Sequence, residues 1–204
     1  MGRRLITRRR DKSIMKSLVG IVTLVIVTSW TLNIREPSII HEPPDFYGTS
    51  REVSLNEMVD FANKNNMSIY LPSELPTNIE LTIIYLKDSP FIAIVVYSAE
   101  GNKDYKTAEL VIQITPSELT PTYNELRSEA ETSEYKSALE INSWPVIVDE
   151  MANSGGCEVF KEKYGDFTLL VRVWIDGMRY NLVAPTLTKE SGEMLVKYMR
   201  LLTP

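Results

Sequence analysis

Apolar residues recur along residues 51–204 at two different spacings, and each spacing predicts a type of secondary structure. The first set is spaced three or four positions apart, as on one face of an α-helix, and comprises Leu55, Met58, Val59 and Ala62. Ser54 and Glu57 form a capping box in front of this set, and the polar run "NKNN" at 63–66 ends it. We therefore predict a first helix that begins directly after Ser54.

The pattern then changes to short runs rich in β-branched residues, which are typical of strands. A Leu-Pro turn at 71–76 precedes three such runs: "ELTIIYLK" (80–87), "FIAIVVYS" (91–98) and "TAELVIQIT" (107–115). Their short connections predict an antiparallel meander. Because 91–98 is apolar at both alternating sets of positions, we expect a central strand that is covered on both faces.

Residues 115–137 contain few apolar positions and two possible helix starts. One start uses Thr115, Pro116 and Glu118, and the other uses Thr122 with Glu125. We expect a mostly exposed, partly helical excursion whose acidic residues are only solvated.

Strand-like runs return in the second half of the domain. They are "ALEIN" (138–142), "PVIVDE" (145–150), "CEVFKEKY" (157–164), "FTLLVRVWID" (167–176) and, after an Asp-Gly turn, "MRYNLVA" (178–184). Thr188 then caps a final helix with Leu195, Tyr198 and Leu202 facing inward, weakened slightly by Gly192. The predicted domain, 51–204, is of the α+β class, with a mainly antiparallel sheet flanked by an N-terminal and a C-terminal helix.

A different pattern precedes this domain, because residues 18–34 are seventeen consecutive residues without a charge. As a helix they extend to roughly 26 Å, slightly less than a bilayer core. Lys16 and Arg35 flank the segment, and Trp30 lies near its far end, so that all three suit a membrane interface. We favour a retained transmembrane helix over a cleaved leader, because no small-residue cleavage site follows.

The charge distribution predicts the orientation of this helix. Residues 1–17 carry seven basic residues against the single Asp11, which favours a cytoplasmic tail in the plasma membrane. Residues 35–50 are rich in proline and predict a linker. Residues 35–204 hold 15 Lys and Arg against 26 Asp and Glu, so the expected outer domain is acidic, and we expect no nucleic-acid partner.

The domain resembles a known family of extracytoplasmic domains of unknown function, the 4367 type, in membrane- or lipid-anchored bacterial and archaeal proteins. The resemblance covers about residues 69–203 and is carried mainly by "LPSELPTNIELTIIYL" and "VWIDGMRYNLVAPTLTKESGEMLVKYMRLL". The chain departs from the family at 115–137 and at "NSW" (142–144), where the family tends to have an Asn-Gly turn. The resemblance implies location and architecture, and it supplies no catalytic residue.

The side-chain inventory argues against an enzyme. His41 is the only histidine and lies in the linker, and Cys157 is the only cysteine, so a nucleophile–base pair and a zinc site both lack their groups. The carboxylate pairs that acid–base chemistry could use are Asp149 with Glu150, and Glu129 with Glu131 and Glu134. We predict no catalytic, cofactor-binding or metal-binding residue.

Two classes of function are left open by these patterns. The favoured class is a membrane-tethered binding or sensing module for an envelope or protein partner, with Trp144, Arg172 and Trp174 as a possible partner surface, because aromatic and arginine side chains are common interface anchors. For the two tryptophans, packing in the core is the competing interpretation. The alternative class is a cell-envelope hydrolase that uses Cys157 or a carboxylate pair.

Overall fold

A computed structural model of the chain describes residues 46–76, 78–153 and 158–203. The helices in these ranges are α1 (Phe46–Thr49), α2 (Leu55–Lys64), α3 (Tyr123–Ala130), α4 (Glu158–Tyr164) and α5 (Lys189–Lys197). The strands are β1 (Arg51–Val53), β2 (Tyr70–Pro72), β3 (Glu80–Asp88), β4 (Phe91–Ser98), β5 (Leu110–Pro116), β6 (Lys136–Ile141), β7 (Trp144–Asn153), β8 (Phe167–Ile175), β9 (Met178–Ala184) and β10 (Met199–Leu201).

Eight of the strands form one antiparallel sheet in the order β1-β3-β4-β5-β9-β8-β7-β6. β10 and β2 form a separate antiparallel pair. The predicted α+β class and the mainly antiparallel sheet are therefore confirmed. Pairing of β5 with β9 joins the meander β3-β4-β5 to the later strands, and it places β5, β9 and β8 in the middle of the sheet.

The first face of the sheet carries the main core. One cross-strand row on this face runs through Ile84, Val95, Ile112, Leu182, Val171 and Val148. Met58 and Ala62 of α2 and Leu195 and Val196 of α5 pack against this layer. All eight residues of β4 are buried, which confirms that this strand is covered on both faces.

The two flanking helices begin where the sequence predicts. The Ser54 side chain accepts a hydrogen bond from the Glu57 backbone N–H, and the Glu57 carboxylate accepts one from the Ser54 backbone N–H, so the capping box of α2 is complete. Thr188 caps α5 through the Ser191 backbone N–H. Helix start signals are local, and these two are sufficient without tertiary information.

Gly192 has a role that the sequence pattern does not show. This buried glycine lies where α5 approaches the sheet, and a Cβ added to it would be 2.9 Å from Val171 Cγ2 and 3.0 Å from Leu169 Cδ2. Glycine therefore permits close packing of the helix on β8, in addition to its cost in helix propensity.

Two predicted elements are wrong in type or length. Residues Glu158–Tyr164 of the predicted strand form a helix, in which Phe160 packs against Leu170 and Val183 of the sheet. Phe160 and Tyr164, four residues apart, lie on one face of this helix, with 5.2 Å between their ring centroids. The last helix ends at Lys197, with Tyr198 as its C-cap rather than an inward-facing helical residue. Leu202 lies beyond the helix, after the strand that pairs with β2.

The helix within 115–137 begins at the second of its two possible starts. Thr122 and Glu125 form the capping box of α3, whereas Thr115 and Pro116 are the last residues of β5. Leu126 of this helix is 2% exposed, so α3 is attached to the sheet through a buried side chain.

No helix in the described part of the chain is long and apolar enough to cross a membrane. The segment 18–34 lies outside the described residues, together with Lys16, Trp30, Arg35 and the linker residue His41. The transmembrane helix therefore stays a prediction from the sequence.

Candidate functional site

Three separate apolar clusters cover the second face of the eight-stranded sheet. Phe46 of α1 and Tyr105 pack over β3, β4 and β5. Phe160 of α4 packs over Leu170 and Val183, and Leu126 of α3 packs over Ile147 and Trp174. The remaining surface, in the middle of the sheet between these clusters, is polar.

The polar surface consists of two neighbouring cross-strand rows on β5, β9 and β8. In one row Gln113 is paired with Asn181, which is paired with Arg172; in the next row Thr115 is paired with Arg179, which is paired with Trp174. Directly paired residues lie on the same face of a sheet, so these side chains are neighbours. We call the five polar residues the arginine strip: Gln113, Thr115, Arg172, Arg179 and Asn181.

Only part of the arginine strip could be recognised from the sequence. Strand alternation in "TLLVRVWID" places Arg172 and Trp174 on one face, as predicted. The contribution of Gln113 was missed, because this residue meets Asn181 across a separation of 68 positions. The sequence does show single polar residues within otherwise apolar strands. Burial of such residues costs free energy unless their polar groups form hydrogen bonds, so their presence is the feature from which the strip could have been inferred.

The strip is linked to α3 by an ion pair. Arg172 Nη2 donates a hydrogen bond to Glu129 Oε1, and the two side chains are 18% and 37% exposed. The expectation that the acidic residues of 115–137 are only solvated is therefore wrong for Glu129. Leu126 of α3 packs against Trp174 and Ile147, and this contact places α3 on the sheet beside Arg172. The sequence pattern could not show this contact.

Several polar atoms of the strip are buried without a hydrogen-bond partner among the described residues. These atoms are Arg172 Nε, Arg179 Nε, Asn181 Oδ1 and Thr115 Oγ1. Asn181 Nδ2 does donate to Gln113 Oε1, at 3.2 Å. A buried polar group without a partner costs about 1–3 kcal/mol, so these four atoms oppose folding unless water or a ligand supplies their hydrogen bonds.

The electrostatics of the strip are unbalanced. Two guanidinium groups are accompanied by one carboxylate, that of Glu129, and no carboxylate in the described part of the chain forms an ion pair with Arg179. Burial, and secondarily the charge of Arg172, lower the pKa of the Arg179 guanidinium. Arginine nonetheless keeps its charge at neutral pH, so the strip together with Glu129 carries a net charge of +1 within an acidic domain.

Trp144 lies apart from the other two residues of the predicted partner surface. It begins β7 on the first face, where its ring meets the Tyr70 ring edge-on, with 5.5 Å between centroids and an interplanar angle of 71°. Trp174 lies on the second face, is 8% exposed, and packs beneath α3. The structure therefore brings Arg172 and Trp174 together and leaves Trp144 on the opposite side of the sheet.

Four of the five carboxylates considered for acid–base chemistry are paired with cations: Glu129, Glu131, Asp149 and Glu150. Asp149 lies 3.8 Å from Lys136 Nζ, Glu150 lies 3.9 Å from Lys189 Nζ, and Glu131 lies 3.3 Å from Arg127 Nε. Within the described ranges, no group of three His, Cys, Asp or Glu residues could hold a metal ion. Cys157 lies outside the described residues.

No family model, no curated protein and no solved structure matches this chain. The resemblance to extracytoplasmic domains of unknown function thus stays a prediction from the sequence.

Replacement of Arg179 by methionine should stabilise the domain. The change removes a partly buried cation beside Arg172 but keeps an unbranched apolar stem, so we expect the free energy of unfolding to rise by about 1 kcal/mol. Denaturant titration of the full-length chain in detergent, followed by tryptophan fluorescence, measures this change. Arg51→Met, at a half-exposed position paired with Asp88, is the charge-matched control and should not stabilise. A less stable Arg179→Met variant would show that Arg179 supports the fold.

Proposed function

We propose that this chain is a single-pass plasma-membrane protein, with its N-terminus inside, whose outer α+β domain binds or senses an envelope component or protein partner without catalysing a reaction. The observation that carries the binding role is the arginine strip, in which buried donors and acceptors without partners accompany an unbalanced positive charge. Bound water or a ligand can supply the missing hydrogen bonds, but only an anionic partner also balances the positive charge.

The chemistry of the strip favours binding over catalysis. A guanidinium group orients and neutralises an anion through its fixed donors, but it does not release a proton at neutral pH and cannot act as a general acid or base there. The carboxylate nearest to the strip, Glu129, is held in an ion pair with Arg172. These groups suit recognition of an anionic partner.

The proposed location rests on the sequence. Seventeen uncharged residues at 18–34 follow a tail with seven basic residues, and a proline-rich linker leads to the acidic domain. This order is that of a membrane anchor with positive residues inside and a domain held outside. The lipid bilayer is the first partner that it implies.

Crosslinking in the native membrane tests the binding role. The probe is a photo-reactive side chain at Leu119, which is 81% exposed and follows Thr115 by four residues along the chain. The same probe at Met194, which is 53% exposed on α5, is the control. We expect a discrete product from position 119 that Arg179→Met reduces at least fivefold and Arg51→Met leaves unchanged. Identical products from both positions, or products insensitive to Arg179→Met, would contradict a partner at the strip. Protease digestion of intact cells should remove the domain, and its protection would contradict an outer location.

A further inference from the structure

We infer that the arginine strip is a carboxylate-binding site for a small ligand that carries a hydroxyl group next to its carboxylate. The inference rests on the proposed binding function and specifies its ligand class. It depends on three properties of the strip: its net charge, the spacing of its cations, and the neutral groups beside them.

The net charge selects a monoanion. Glu129 already compensates Arg172, so binding of one further negative charge makes the two guanidinium groups and their anions neutral. Inorganic phosphate and phosphate monoesters carry more than one negative charge at neutral pH and would leave an excess in a partly buried site. A carboxylate restores the balance.

The spacing places both arginines within reach of one carboxylate. Arg172 and Arg179 lie on neighbouring strands, in adjacent rows of the same face, because Arg172 is paired with Asn181 and Arg179 with Trp174. Such diagonal positions are about 7–8 Å apart, and arginine side chains span that distance easily. The guanidinium group of Arg179 can donate two parallel hydrogen bonds to a carboxylate, and the Nε of Arg172, which is without a partner, can donate a further one.

The neutral groups beside the cations select a second feature of the ligand. Asn181 is 8% exposed, and its buried Oδ1 can only accept a hydrogen bond. Thr115, directly paired with Arg179, offers a buried hydroxyl oxygen that also lacks a partner. A carboxylate cannot donate to either atom, whereas a hydroxyl group on the neighbouring carbon can donate and leaves the ligand a monoanion. Trp174 is paired with Arg179 across the strands, and its ring is packed under α3 with Leu126 and Ile147.

Thermal unfolding of the full-length chain in detergent tests this ligand class. The probes are sodium glycolate, sodium acetate and inorganic phosphate, each titrated at constant ionic strength with sodium chloride. We expect a saturable rise of Tm with glycolate, a weaker saturable rise with acetate, and no saturable rise with phosphate, since binding to the folded state stabilises it. Phosphate binding as tight as glycolate binding would contradict the carboxylate assignment.

Three variants separate the contributions of the side chains. Arg179→Met should weaken glycolate binding by about tenfold or more, because it removes charge-assisted hydrogen bonds, whereas Arg51→Met should bind normally. Thr115→Val keeps the shape of the side chain but removes one of the two acceptors, so it should reduce the preference for glycolate over acetate without weakening acetate. A Thr115→Val variant with an undiminished preference for glycolate would contradict the role of Thr115 as an acceptor for the ligand hydroxyl.

The crosslinking experiment distinguishes failure of this inference from failure of the proposed function. If Arg179→Met abolishes the crosslinked product while glycolate and acetate produce no saturable effect, the strip binds a partner of another chemistry and the ligand class is wrong. If the product and the carboxylate effects are both insensitive to Arg179→Met, the strip is not a binding site and both proposals fail.

Discussion

Trp174→Ala should lower the free energy of unfolding by about 3–5 kcal/mol, the usual cost of removing a large aromatic side chain from a core. Trp174 is 8% exposed and packs with Leu126 of α3 and Ile147 of β7, so its loss leaves a cavity between α3 and the sheet. Arg172 lies two residues earlier on the same face and is paired with Glu129 of the same helix, so displacement of α3 also weakens this ion pair. Denaturant unfolding followed by circular dichroism measures the loss.

Trp144→Ala is the matched control on the opposite face. Trp144 is only partly buried, against Tyr70 and the main core, so its removal should cost roughly half as much as removal of Trp174. Trp174→Phe, which keeps an aromatic ring under α3, should restore most of the stability lost in Trp174→Ala. A partner that Trp174→Ala releases without loss of stability would instead identify this ring as a surface anchor.

Gly192→Val should lower the free energy of unfolding by about 3 kcal/mol, because even a Cβ at this position comes within 3.0 Å of Val171 and Leu169. The added side chain forces α5 away from β8 and opens the main core. Helix propensity alone predicts the opposite sign, since valine is a better helix former than glycine. Thermal and denaturant unfolding of the full-length chain therefore separate the two effects.

Met194→Val provides the control for Gly192→Val within the same helix. Met194 is 53% exposed, so a β-branched residue there changes helix propensity without contacting the sheet. We expect a loss of about 0.5 kcal/mol or less. Equal effects at the two positions would contradict a close approach of α5 to the sheet at Gly192.

The arginine strip combines a stability cost with a proposed use. Buried polar atoms without partners and two neighbouring cations oppose folding, whereas the surrounding apolar clusters favour it. Residues that break the local rules of a protein interior in this way commonly mark sites of function. The expected rise in stability of Arg179→Met and its expected loss of binding are two consequences of the same arrangement.

The predicted elements that the structure confirms depend on short-range signals. The capping boxes at Ser54 and Thr122 involve residues three positions apart, and "FIAIVVYS" is apolar at every core position of one strand. The wrong element, 157–164, has seven described helical residues and a pattern that fits either type. Phe160 in this segment packs against Leu170 and Val183, and this contact favours the helix over a strand. Because Leu170 and Val183 belong to different strands, the contact depends on the assembled sheet.

The sequence by itself determined most of the local elements of this protein: where α2 and α5 begin, which of the β-branched runs become the long strands, and which face of β8 joins the core. It also determined the charge pattern that predicts a membrane anchor. Only the tertiary structure decided that β5 lies beside β9, that Glu129 meets Arg172, and that Gly192 contacts β8. Periodicity depends on neighbours a few residues apart, whereas the arginine strip joins side chains from distant strands, and their pairing follows from packing of the whole sheet.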